Sequence, residues 1–323
     1  MCVLFANTET ATDLENFAVV VGLNDGIDIT TDVININLHR SNEVSTQEQI
    51  PIEMETEIVA AVYRNTMYVI GIGTSNDEIY KYTSGSGWAQ CASLIQGRRR
   101  HSAAFIDEVL YICGGFVDSA ELVLDSVEAF NSSTNKCTVV AKLVHGVESS
   151  GNCVPFRSSL FIFGGSDKDD NSTSHIQLYN TNDNTCTLVS KPMPRPCHLL
   201  RAVLWETTVI LLGRHECFIF NIETETWLER PQFKANVGHF GLALENKRVF
   251  VIGGGICETD ENGDVIWKCR DDVRYIPLQN ILDDKAIEWK MHATLPQPTL
   301  IQAYAAMRCK TTVAESFEIV HVP

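Results

Sequence analysis

Apolar and polar positions alternate in blocks along this chain of 323 residues, and the blocks repeat. Six short apolar runs end on glycine: Val19-Val20-Val21-Gly22, Tyr68-Val69-Ile70-Gly71, Tyr111-Ile112-Cys113-Gly114, Phe161-Ile162-Phe163-Gly164, Ile210-Leu211-Leu212-Gly213 and Phe250-Val251-Ile252-Gly253. Successive glycines lie 49, 43, 50, 49 and 40 residues apart, a period that marks an array or a propeller. Upstream of these runs lie strands of small residues, such as Ile58-Val59-Ala60-Ala61-Val62, Ser102-Ala103-Ala104-Phe105 and Gly241-Leu242-Ala243-Leu244. Short polar turns (Arg64-Asn65, Asp107-Glu108, Glu206-Thr207, Glu245-Asn246-Lys247) join the two, which is a hairpin signal.

Downstream of the glycine come a variable loop and a strand ending in an aromatic residue and a polar turn, as at Phe130-Asn131, Tyr179-Asn180 and Phe220-Asn221. A Trp follows (Trp88, Trp227, Trp289), or a Cys in its place (Cys137, Cys186). Each repeat therefore reads as four antiparallel strands. Small residues suit an inner strand near a crowded axis, and large ones pack sheet against sheet. One such sheet cannot bury both faces alone, whereas a ring of them can.

A small-residue strand, a turn, an apolar strand, Gly-Gly, a loop, an aromatic and a Trp resemble the kelch repeat over residues 17 to 309. Cys113-Gly114-Gly115, Phe163-Gly164-Gly165 and Ile252-Gly253-Gly254 fit best; Gly22-Leu23, Gly71-Ile72-Gly73 and Gly213-Arg214 lack the second glycine. The expected fold is all-β: a six-bladed kelch propeller. Residues near 301–309 would supply the inner strand of the first blade and residues 17–52 the other three, closing the ring and removing free sheet edges. Residues 1–16 are then a lead segment, 17–309 the propeller, and 310–323 a tail that could add an edge strand.

The net charge of −16 argues against nucleic acid and anionic membranes as main partners. No apolar run reaches the length of a membrane span, and Met1-Cys2-Val3-Leu4-Phe5 does not open like a signal peptide. The 11 cysteines include no Cys-x-x-Cys pair and read as small hydrophobes of a reducing compartment, with the cytoplasm expected and the nucleus open. In that setting the sequons at Asn131 and Asn171 are loop chemistry.

One face of a propeller gathers the loops that enter the inner strands and those that leave the Gly-Gly strands, around a central bowl. Counting fourteen residues back from the glycines aligns Glu57, Arg100, Ser150, Leu199 and His239, and Gln302 aligns with them. Close by in sequence stand His101, Ser102, Asn152, His198, Arg201 and Tyr304, and the loops after the glycines add Phe116, Ser166, Arg214 and His215. The kelch domains most similar are those of BTB-kelch proteins. That resemblance implies a bowl holding a substrate protein or peptide for a cullin-3 ubiquitin ligase, with the cullin bound through a BTB domain outside this chain. It also implies an arginine at the inner-strand entrance that grips a peptide carboxylate, a position held by Arg100. A guanidinium suits the task because it stays charged and binds carboxylates bidentately. Phe116 is the expected aromatic hot spot.

Plainer readings stand beside these. Arg98-Arg99-Arg100 is also a local basic run, His101 and His239 ordinary loop histidines, and Arg201 and Tyr304 fillers of a channel. Arg214 and His215 project into the bowl or cap a shorter blade. No cofactor and no metal site are expected, because the histidines lack ligand spacing. No nucleophile elbow, His-Glu-x-x-His or phosphate loop is present, so no catalysis is expected. Two function classes remain: substrate recognition for a ubiquitin ligase, in a domain cut from a longer protein, and a cytoskeletal (actin-associated) or scaffold module.

Overall fold

In a computed structural model, the described residues are 14–310 except 25–27, 30–32, 48, 51–56, 65, 84–85, 150–152, 260–264 and 286. Most of the expected lead segment, most of the tail, Ser150 and Asn152 thus lie outside the described residues. The described residues form six antiparallel sheets of four or five strands, with two short two-stranded ribbons beside them. The third sheet is typical. Its strands Ser102–Ile106, Val109–Cys113, Ser126–Asn131 and Lys136–Lys142 pair in sequence order. The second sheet spans Val59–Tyr63 to Gly87–Ser93, the fourth Cys153–Phe156 to Thr185–Leu188, the fifth Arg201–Trp205 to Thr226–Glu229 and the sixth Gly241–Glu245 to Lys290–Thr294. In the first sheet, Leu14–Asn24 pairs with Val33–Asn37 on one side and with Thr299–Lys310 on the other.

In the second to fifth sheets the aromatic residue and the Trp or Cys of the repeat face one another across the two outer strands, whereas in the sixth Tyr275 faces Lys290 and Trp289 lies just before the strand. Tyr82 pairs with Trp88, Phe130 with Cys137, Tyr179 with Cys186 and Phe220 with Trp227. Phe130, Tyr179 and Phe220 are fully buried. Where Cys replaces Trp, a tyrosine of the preceding sheet fills the space: Tyr68 lies 5.8 Å from Phe130 and Tyr111 5.5 Å from Tyr179, ring centre to ring centre. The cysteines do behave as small hydrophobes, and Cys113, Cys153, Cys197 and Cys217 are buried free thiols.

The paired glycines have a reason beyond the strand exit. A Cβ on Gly114 would lie 2.2 Å from the carbonyl oxygen of Val147, in the segment leading into the next sheet. The adjacent Gly115 donates its amide to that same oxygen at 2.8 Å. Both glycines adopt positive φ. Gly-Gly is thus a stitch between sheets, placed where only a bare backbone fits.

Candidate functional site

A second set of stitches builds the bowl. Glu57, Arg100, Ser149, Leu199 and His239 stand at or just before the entrances of successive inner strands, and all five adopt positive φ. This conformation costs a residue with a side chain about 1–2 kcal/mol. It turns the amide toward one neighbouring sheet and the carbonyl toward the other. Arg100 donates to the Glu57 carbonyl at 3.2 Å, Ser149 to that of Arg100 at 2.9 Å, and Leu199 to that of Ser149 at 3.0 Å. Ile301 donates to the His239 carbonyl at 2.7 Å. Each such bond contributes about 0.5–1.5 kcal/mol.

These residues surround a recess of about 420 Å³ counting its open mouth, lined by Glu57, Ile58, Val59, Arg100, His101, Ser149, Leu199, Arg201 and His239. The structure therefore brings Glu57, Arg100, His101, Arg201 and His239 together. In the fourth sheet Ser149 lines the recess, and the expected Ser150 lies outside the described residues.

The three consecutive arginines of the local basic run have three different environments. Arg98 is buried. It pairs with the equally buried Glu128 and donates to the Gly114 carbonyl at 2.9 Å, while Glu128 accepts the amides of Ile95 at 2.7 Å and Gln96 at 3.1 Å. Arg99 donates to Glu57 at 2.7 Å and to Asp118 at 2.8 Å. Arg100 donates from Nε to Glu57 at 2.5 Å and reaches Glu148 at 3.4 Å. Burial pulls the Arg100 guanidinium down, but Glu57 and Glu148 together hold it above its usual value. Burial outweighs Arg100 at Glu148, whose carboxyl is raised. Two nitrogens of the Arg100 guanidinium thus already face the protein's own carboxylates.

The two bowl histidines are kept neutral. Burial and the Arg98 charge push His101 down to about 3. Burial and the Arg201 charge push His239 down to about 4, against the pull of Glu57. His101 and Ser102 are buried at the inner strand, and neither His101 ring nitrogen nor the Ser102 hydroxyl has a hydrogen-bond partner among the described residues. Arg201 donates from Nε to the Phe240 carbonyl at 3.2 Å, with its guanidinium 5.6 Å from the centre of the buried Tyr304 ring.

The remaining candidates lie outside the recess lining. Phe116 is not the bare aromatic expected: it is half-buried beneath the Arg99 guanidinium, 5.6 Å from its ring centre. His198 is exposed and bonds the Ser172 hydroxyl at 2.7 Å. Ser166 is buried, its backbone paired with Glu148. Arg214 reaches the Cys257 carbonyl at 3.4 Å, and His215 is exposed.

One aromatic at the bowl was missed. Trp267 stands on the ribbon Gly255–Thr259 and Val265–Cys269, and its indole meets the His239 ring edge-on at 5.0 Å. The signal was available in the sequence, where Asn262-Gly263 separates two apolar runs as in a hairpin. Among the described residues no group of three or more His, Cys, Asp or Glu is placed to hold a metal, and no helix is long and apolar enough to cross a membrane.

The sheets, the stitches and the axial recess define a β-propeller, and residues 97–143 match the Kelch motif. The chain is a kelch-repeat β-propeller that resembles the kelch domains of the Kelch-like proteins. Kelch-like protein 35 of Mus musculus is 26% identical over 218 residues, covering 67% of this chain and 37% of its own length. Kelch-like protein 25 of Xenopus tropicalis is 27% identical over 235 residues (67% and 39%), and that of Homo sapiens 26% over 264 (73% and 44%). The chain thus spans less than half the length of these relatives. The solved structure of YjhT aligns with a TM-score of 0.65 at 15% identity, covering 78% of this chain and 88% of that one, a likeness of fold alone.

Proposed function

We propose that this kelch propeller is the substrate-recognition part of a BTB-kelch cullin-3 ubiquitin ligase, and that it holds a segment of a substrate protein in its axial bowl without catalysing a reaction itself. The propeller is read as a closed ring of six blades over residues 17–309, completed by its C-terminal strand. The cullin would bind a BTB domain outside this chain, in the cytoplasm or the nucleus. The observation that carries the reading is the recess itself, to which five successive inner-strand entrances each contribute a side chain. Held on strained but cross-bonded backbone, those side chains are preorganised, which lowers the entropic cost of gripping a flexible segment.

The test is affinity capture from cells in which cullin ligases are blocked, comparing the unaltered chain with Arg201→Ala/His239→Ala. A set of proteins lost by about tenfold or more in the variant, with its melting temperature unchanged, is the expected result. Those proteins should also carry less ubiquitin when the native protein is removed. Equal capture by both moves the binding surface elsewhere and favours the scaffold alternative.

A further inference from the structure

Each sheet ends outward on a strand that no further strand pairs with among the described residues. The backbone N–H and C=O groups along such an edge are a template for another extended chain. The six outer edges are not alike. In the first, fourth and fifth sheets the edge strand has only four residues. In the sixth it has five and opens on Lys290. In the third it has seven, with Lys136 at one end and Lys142 at the other. Shortness and lysine both make an edge unattractive to other chains. The second sheet uses neither: its edge strand Gly87–Ser93 has seven residues, none of them charged and none proline.

Neighbours on a strand point to opposite faces, yet the consecutive residues Ala89 and Gln90 are both exposed. Both faces of this edge therefore stand clear of the adjoining sheets at that point. Gly87 and Ala89 share one face, opposite Thr83 and Lys81, and leave it shallow. The other face carries Trp88, whose ring centre lies 5.1 Å from that of Tyr82. A bulge ends the regular run: Gln90 faces Tyr80 and Ala92 faces Ile79, so Cys91 is the extra residue. Its thiol donates to the Ile79 carbonyl at 3.3 Å, and burial pushes that thiol up to about 11, so it keeps the proton it donates. Because a bulge breaks the ladder, the stretch open to pairing is Gly87–Gln90.

We propose that this edge is a second interaction surface, apart from the bowl, which takes an extended uncharged segment of a partner protein as a fifth strand of the second sheet. In such an addition the backbone supplies the affinity and alternate side chains the selectivity. The edge strand offers no charge to match one on the segment. The shallow face over Gly87 and Ala89 has room for one large side chain, as an aromatic residue covers a glycine of the neighbouring strand. The segment therefore places an aromatic or large aliphatic residue on that face. A second copy of the chain is not the occupant, because pairing over four residues falls well short of the roughly 1,000 Å² that a specific interface between folded proteins buries. For a single added strand, four residues lie within the usual length.

Phage displaying random peptides are panned on the purified chain, and the selected sequences are titrated as synthetic peptides. The expected result includes a family with an uncharged stretch around one large apolar residue, whose binding slows hydrogen exchange at the amides of Gly87–Gln90. Ala89→Lys/Gln90→Lys, which gives this edge the lysines of its neighbour, should weaken that family about tenfold or more at unchanged melting temperature. Ala89→Thr/Gln90→Thr should retain binding. Methylating alternate backbone nitrogens of the peptide should abolish binding in one register and spare it in the other, a pattern that recognition of side chains alone does not produce. Peptides indifferent to the two lysines, or weakened equally by both methylation registers, overturn the proposal. A dimer of the chain that the lysines dissolve also overturns it, by making a second copy the occupant. Failure to select any peptide at this edge does the same, and leaves the bowl to be judged separately by Arg201→Ala/His239→Ala.

Discussion

Arg98 and Arg100 show how little a residue's type says about its role. Both belong to one basic run, yet Arg98 is sealed against Glu128 and Arg100 faces the bowl. What separates them is a carboxylate 30 positions along the chain, on another strand. That pairing is a property of the folded sheet, and no local pattern announces it. Histidine behaves similarly. His101 in its buried site titrates near 3, far below the 6.5 of an exposed imidazole. The unfolded chain therefore binds a proton that the folded chain refuses between those values. Stability contributed by this group is full above pH 6.5 and is lost as pH falls, by about 1.4 kcal/mol per pH unit, until the folded group itself titrates. Melting temperature measured from pH 7 to pH 4 should fall accordingly, and His101→Gln should flatten the slope. An unchanged slope would show that His101 is not buried neutral.

At the scale of elements, much was legible. The alternation of apolar strands, turns and glycines was strong enough to define the repeat, and the Phe130, Tyr179 and Phe220 positions follow from cross-strand pairing that any similar hairpin imposes. The candidate bowl residues aligned because each repeat places its inner-strand entrance at nearly the same distance from its glycine. In the fourth sheet the positive-φ residue Ser149 stands fifteen residues before Gly164 where the others stand fourteen before theirs, and counting cannot detect a single inserted residue. The Trp267 ribbon was passed over because it interrupts the repeat rather than obeying it. The glycine stitch makes its own prediction. Gly114→Val should destabilise by about 2–5 kcal/mol, combining a forced positive φ with a clash against the Val147 carbonyl. Gly238→Ala, whose new Cβ would meet ordinary contacts at 3.6 Å, should change stability little. Chemical denaturation of the two variants separates them, and equal stability would contradict the stitch.

At the scale of the molecule, Leu14–Asn24 and Thr299–Lys310 pair along almost their whole length, joining segments far apart in sequence. Removing residues 299–323 takes the inner strand from the first sheet and leaves a long unpaired edge. The truncated chain should aggregate or lose cooperative unfolding, read by size-exclusion chromatography and circular dichroism. A permuted chain opened at the exposed Asn182-Asp183 turn, with a flexible linker joining the old ends, should remain folded. A truncated chain that melts like the intact one would make that pairing dispensable.

The same pairing sets a clock during synthesis. The first strand leaves the ribosome long before its partner, and at ordinary translation rates the wait is about 15–60 s. For that interval the nascent protein displays a strand edge with nothing to close it. The final contact also spans nearly the full chain, the slowest kind to form. A cell making this protein must therefore shelter the unfinished sheet until residues 299–310 arrive.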